Sequence, residues 1–140
     1  MSGKNQYPCS LNWQSTNPAT TLLPTSANQT GTAPSGVLLG VMASTNTIYS
    51  NIIDVSKMDS IGAAITWTGT PTGTLSVLGA NADGNFYALT FNPAIGQPVG
   101  SAGGYLIDLS MYPFKYLMFQ YVNASGSGTL LITLQLKDLN

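Results

Sequence analysis

Few side chains in this sequence can do chemistry. The charged residues are Asp54, Asp59, Asp83, Asp108 and Asp138 with Lys4, Lys57, Lys115 and Lys137; Cys9 is the lone cysteine, and Glu, Arg and His are absent. Paired carboxylates are the machinery of glycoside hydrolysis, and Asp54 and Asp59 lie close in sequence. Local structure accounts for these acids more simply. Asp83 sits in Asn81-Ala-Asp-Gly-Asn, where Asp-Gly is a hairpin signal, and the others suit strand ends. The same five residues offer three oxygen-bearing side chains, short of the crowded oxygen shell that calcium takes. Cys9 has no His to activate it, so an incidental or structural thiol is expected. No P-loop, zinc or dinucleotide spacing occurs. The expectation is a protein that is not an enzyme, with no catalytic, metal-binding or cofactor-binding residues and no cofactor.

Composition narrows the partners. Only 6% of the 140 residues are charged and the formal net charge is −1, against a usual charged fraction of about a quarter. Without Arg and without a basic excess, phosphate clamps and nucleic-acid grooves are not expected. A surface of amides and hydroxyls does little to resist association, which points to a chain that works packed against partners. The opening MSGKNQYPCS carries no apolar leader core, and no run approaches the length of a membrane helix. A single cysteine allows no intrachain disulfide, which suits synthesis in a reducing cytoplasm.

The elements that would position these residues fall into two parts. Residues 1–36 are rich in Ser, Thr, Asn and Gln, and Pro8, Pro18, Pro24 and Pro34 each remove a backbone donor. Apolar residues there are isolated, so an extended N-terminal arm is expected, ordered by contact with a neighbouring subunit. Tyr7, Leu11, Trp13, Leu22 and Leu23 are its candidate interface residues, with Trp13 an anchor in a neighbour's pocket. From residue 37 the pattern is β. Runs at Val37–Met42, Ile48–Val55, Ile61–Thr68, Thr74–Gly79, Phe86–Phe91, Gly104–Leu109, Phe114–Val122 and Thr129–Leu136 are separated by turn chemistry. About eight strands and no 3.6-residue stripe predict an all-β domain over 37–140: an antiparallel β-sandwich or jelly roll. Its expected core is Ile65, Trp67, Leu75, Val77, Leu89, Leu106, Leu130, Ile132 and Leu134.

Several of these segments also resemble a known family. The string from Ile65 to Val77 (ITWTGTPTGTLSV), the Asn/Asp/Gly turn leading to Tyr87-Ala-Leu-Thr, and Gly103-Gly-Tyr-Leu-Ile-Asp-Leu carry the likeness. So do Met111-Tyr-Pro-Phe-Lys-Tyr-Leu, Ser125-Gly-Ser-Gly-Thr-Leu and the terminal Lys137-Asp-Leu-Asn. Together they are similar to a small β-sandwich, virion-associated protein family of bacteriophages, over about residues 47–140. The family often has an Arg where Leu117-Met-Phe stands here, so contacts that depend on that guanidinium are not carried over. The resemblance implies an auxiliary capsid protein of decoration, cement or vertex type, located in the virion and assembled in the host cytoplasm. Its partners would be the major capsid protein or other virion subunits and further copies of itself, a homotrimer being favoured. Nucleic acid, membrane and small-molecule substrates are not expected. The alternative is a glycan- or receptor-binding β-sandwich of a phage fibre or secreted protein. That reading requires at least two aromatic rings exposed on one concave face, from a set that includes Trp13, Trp67, Tyr105, Tyr112, Tyr116 and Tyr121.

Overall fold

A computed structural model describes residues 5–14, 40–43, 45–56, 58–81, 85–91, 97–110 and 114–138. Among them the chain forms eleven strands: β1 (Asn5–Ser10), β2 (Trp13–Gln14), β3 (Gly40–Met42), β4 (Thr47–Ser50), β5 (Ile53–Asp54), β6 (Ser60–Gly69), β7 (Thr72–Ala80), β8 (Phe86–Ala88), β9 (Gly103–Asp108), β10 (Tyr116–Ser125) and β11 (Gly128–Asp138). No helix among the described residues is long and apolar enough to cross a membrane.

The strands make two antiparallel sheets packed as a sandwich. The first runs β1-β11-β6-β9, with β3 beside β11; the second runs β2-β4-β10-β7-β8, with β5 beside β10. Period-two alternation turns one face of each sheet inward. Ile61, Ala63 and Ile65 of β6 and Leu130, Ile132, Leu134 and Leu136 of β11 meet Leu75 and Val77 of β7 and Leu117, Phe119 and Tyr121 of β10 in one core. Burying each large side chain of this kind contributes about 1.5–3 kcal/mol.

Residues 5–14 depart from the arm expected over 1–36. β1 pairs with β11 from Asn5↔Asp138 to Ser10↔Thr133, and β2 pairs with β4. Pro8 is accommodated because β1 is an edge strand, whose outer side needs no ladder donor. Leu11 and Trp13 are 1% and 3% exposed and belong to this chain's own core instead of reaching a neighbour's pocket. Tyr7 lies opposite Leu136 in the β1–β11 ladder. Leu22 and Leu23 lie outside the described residues.

The run Ile48–Val55 is two strands instead of one. Gln120 pairs with Tyr49 and Leu117 with Ile53, so three residues face two across β10. The extra residue is a bulge. Within it the Ser50 hydroxyl takes the Phe119 N–H at 2.8 Å, replacing a backbone carbonyl. The bulge switches the parity, which is how Ile48 and then Ile53 and Val55 all enter the same core.

Chain crossings between the sheets fix one end of the sandwich. β6 passes to β7 through Gly69-Thr70-Pro71, and β10 passes to β11 through Gly126-Ser127. These corners touch, with Thr70 N–H on Ser127 O at 2.9 Å. Gly69 and Gly126 have φ of 81° and 73°, and a Cβ on either would strike the backbone of the other corner. The turn signal at 68–73 therefore marks a change of sheet, whereas the strands on either side of Asn81–Asn85, β7 and β8, pair antiparallel with Ala80 opposite Phe86.

Candidate interaction face

Leu106, expected in the core, is 80% exposed. Along β9 it is Tyr105 and Ile107, followed by Leu109, that turn toward the opposite sheet, so the alternation puts Leu106 outside. Ile65, Leu75, Val77, Leu130, Ile132 and Leu134 lie in the core; Trp67 and Leu89 are partly buried and pack against it.

Several of the described polar and aromatic candidates are absorbed by the fold. Asp54 accepts hydrogen bonds from the Ser56 N–H and hydroxyl at 2.9 and 2.6 Å. Asp108 accepts from the Ser110 N–H at 2.9 Å, and hydrogen bonds from the Ser110 side chain and backbone hold its carboxyl below the usual carboxylate range. Asp83 and Tyr112 lie outside the described residues. Among the described residues, no three of His, Cys, Asp and Glu gather to hold a metal ion. Trp67 donates its Nε1–H to Ser101 O at 3.0 Å and meets Tyr105 edge-on, ring centres 6.0 Å apart. Burial pushes the Tyr105 phenol up to about 12. Tyr121 donates to Asn123 Oδ1 and Asn123 Nδ2 donates to Gly126 O, both at 3.0 Å, tying β10 to the corner that follows it. Burial raises the Tyr121 phenol as well.

Among the described residues, what is left open is the outer face of the first sheet. The ladders align its outward residues in rows: Leu106, Ala64 and Thr133; then Gly104, Thr66 and Leu131; then Asp108, Gly62 and Gln135. Val41 stands beyond Thr129. Leu106, Val41 and Leu131 are 80%, 56% and 38% exposed. A shallow depression of about 320 Å³ lies among Gly62, Ala64, Leu106, Thr133 and Gln135. The charges of this face, Asp108 and Lys137, stand near one end, on the rows of Gly62 and Ser60. Elsewhere, across β3, β11, β6 and β9, it is threonine, glycine, alanine, leucine and valine. Such a face gives little to water and suits burial against protein.

The sequence does contain a signal for this face. In Thr129–Leu136, Leu131 breaks the apolar/polar alternation by placing a leucine on the solvent side. Gly62, Ala64, Thr66 and Thr68 are an uncharged outward set on β6, opposite Ile61, Ala63, Ile65 and Trp67. Polar residues are the default on the solvent face of an antiparallel sheet, so the uncharged, partly apolar runs at Gly62–Thr68 and Thr129–Gln135 were legible. That the strands are neighbours was not.

No protein-family model matches the chain, and no curated protein is significantly similar to it. Among solved structures, the enzymatically active domain of tailspike protein 4 of bacteriophage CBA120 aligns at 12% identity and a TM-score of 0.44. That alignment covers 99% of this chain and 20% of the tailspike chain, so this chain spans a fifth of that protein's length. The K1 cleaved adhesin domain of Lys-gingipain from Porphyromonas gingivalis W83 aligns at 17% identity and a TM-score of 0.29, over 75% of this chain and 66% of the other. Scores this low define no shared fold. The sandwich assignment rests on the ladders of this chain.

Proposed function

We propose that this chain is a structural, non-catalytic subunit of a bacteriophage virion, resembling a capsid decoration, cement or vertex-associated protein. The observation that carries the association is the outer face of the first sheet, apolar and hydroxylic with its charge confined to one end. Its placement in a phage particle is supported by the resemblance of Ile65–Val77 and the later segments to the phage family. The work is binding: apolar area removed from water at each contact, repeated over many copies of a shell so that modest contacts add. The major capsid protein or other virion subunits and further copies of the chain, in a homotrimer or another closed assembly, are the partners this reading names.

A glycan platform needs two aromatic rings presented together. Among the described residues from Leu11 onward Tyr87, 67% exposed, is the single exposed aromatic, which favours the structural reading. The decisive experiment is mass spectrometry and immunogold labelling of purified particles from a phage that encodes the chain. Many copies per particle, released by mild denaturant before the shell opens, are expected. Particles that lack the chain, although it is made in the infected cell, overturn the reading.

A further inference from the structure

The outer face of the first sheet is complementary to itself, and we infer that it pairs two copies of this chain about a two-fold axis running along β6. An axis in that position exchanges β9 and β11 across the interface. The register then dictates what meets. Leu106 of one copy stands over Thr133 of the second, at the depression that Gly62, Ala64 and Gln135 line. Leu131 stands over Gly104, which has no side chain to obstruct it. Gly62 and Ala64, on the axis, meet their own copies, and their small size lets the two sheets approach. Each projecting leucine thus faces a recess, the same in both directions, which is the property a closed two-fold contact requires.

Charge agrees with the geometry. Asp108 lies on the Gly62 row of β9 and Lys137 one position farther along β11, beside Ser60. Exchange of the two strands sets Asp108 of each copy against Gln135 and Lys137 of the other. Two opposite-sign contacts result. An axis perpendicular to the strands would instead carry both charges away to the uncharged end.

Size sets the strength. Three strands at about 4.8 Å spacing and nine residues at about 3.3 Å give a footprint on the order of 400 Å² per copy. Counted over both copies that is about 800 Å², below the roughly 1,200 Å² at which standard specific interfaces begin, so the pairing is of the weak, transient kind and association is reversible. The pairing concerns the face alone and stands whether or not the chain works in a virion.

The test is sedimentation equilibrium of the full chain from about 10 µM to about 1 mM, with each variant checked for folding by circular dichroism. Wild type is expected to pass from one chain to two. Leu106→Asp, on a side chain 80% exposed and so harmless to the core, is expected to raise Kd by about tenfold or more. Asp108→Lys should weaken the dimer about threefold or more, and Asp108→Lys combined with Lys137→Asp should recover most of that loss. Val122→Asp, on an outward position of β10 in the other sheet, should change nothing. In a Cys9→Ser background, Ala64→Cys should cross-link to its own copy through a short bis-maleimide, because it lies on the axis. Several results overturn the inference: a single-chain mass throughout, a trimer, a dimer indifferent to Leu106→Asp, a charge-exchanged double variant no tighter than Asp108→Lys alone, or sensitivity to Val122→Asp.

Discussion

Tyr121 and Asn123 show how a residue that looks available for binding is used by the fold. Both are essentially without solvent exposure, and their hydrogen bond continues to Gly126 O, so the phenol holds the corner where β10 leaves its sheet. Gly73 is part of the same arrangement, because a Cβ there would overlap the Tyr121 hydroxyl. Tyr121→Phe is expected to cost about 1–2 kcal/mol, read as a fall of about 3–6 °C in Tm. Tyr116→Phe, on a half-buried ring of the same strand, should stay within about 0.5 kcal/mol. Equal effects of the two substitutions would refute the role assigned to the corner. From the sequence, Tyr105, Tyr116 and Tyr121 were indistinguishable as interface, sugar-binding or core residues. Leu106 was assigned to the wrong face for a related reason. In Tyr105-Leu-Ile-Asp-Leu three consecutive apolar residues fit either parity, and only the pairing Ala64↔Leu106 settles which side of the sheet leucine takes.

At the level of elements, strands with strong alternation were legible and strands made by their surroundings were not. β6, β7, β10 and β11 carry apolar residues every second position, and each appears within a few residues of its expected limits. β1 and β2 carry no such pattern. Asn5–Ser10 is a strand because the β11 edge beside it offers a ladder, while β3 occupies only the far end of that edge. The Leu11 N–H donates to Ile132 O, and the chain then crosses to place Trp13 in the core. Trp13→Ala is therefore expected to cost about 3–5 kcal/mol, measured by urea unfolding. Deleting residues 1–36 should destabilise the sandwich itself, beyond any loss of attachment to partners. A truncated chain with an unchanged unfolding midpoint would show that β1 and β2 are dispensable. The sheet edge near β7 is closed by another local device. Gln97 hydrogen-bonds through its side-chain amide to both the N–H and the carbonyl of Leu75, and Leu89 N–H reaches Val77 O. A side chain thus stands in for a neighbouring strand and blunts an edge open to unwanted pairing.

Over the whole molecule, scarcity of charge sets the response to solution conditions. The chain has no His, and no side chain with an ordinary carboxylate, phenol or lysine pKa titrates between about pH 5 and 8. Thermal stability is expected to be flat across that window and nearly indifferent to added salt. It should fall above about pH 10. Burial holds the Tyr105 phenol neutral up to about 12, whereas the unfolded chain ionises near 10.0, so the folded state binds the extra proton and loses stability as pH rises between the two. At the acid end the sign reverses. The Asp108 carboxyl, held low by Ser110, favours the fold above the ordinary carboxylate range, and that contribution fades as pH falls. An inflection in Tm near pH 6.5 would contradict this account. By itself the sequence determined the fold class, the hairpin at Asn81–Asn85 and the poverty of charge, because alternation, turn residues and composition are local properties of a chain. The tertiary structure decided that residues 5–14 carry two strands, that Ile48–Val55 is broken by a bulge, and that a face with two exposed leucines and its charge confined to one end spans β9, β6 and β11. Those outcomes depend on which strands become neighbours and which side of each sheet meets the other, and such choices arise only when distant segments compete to bury the same apolar surface.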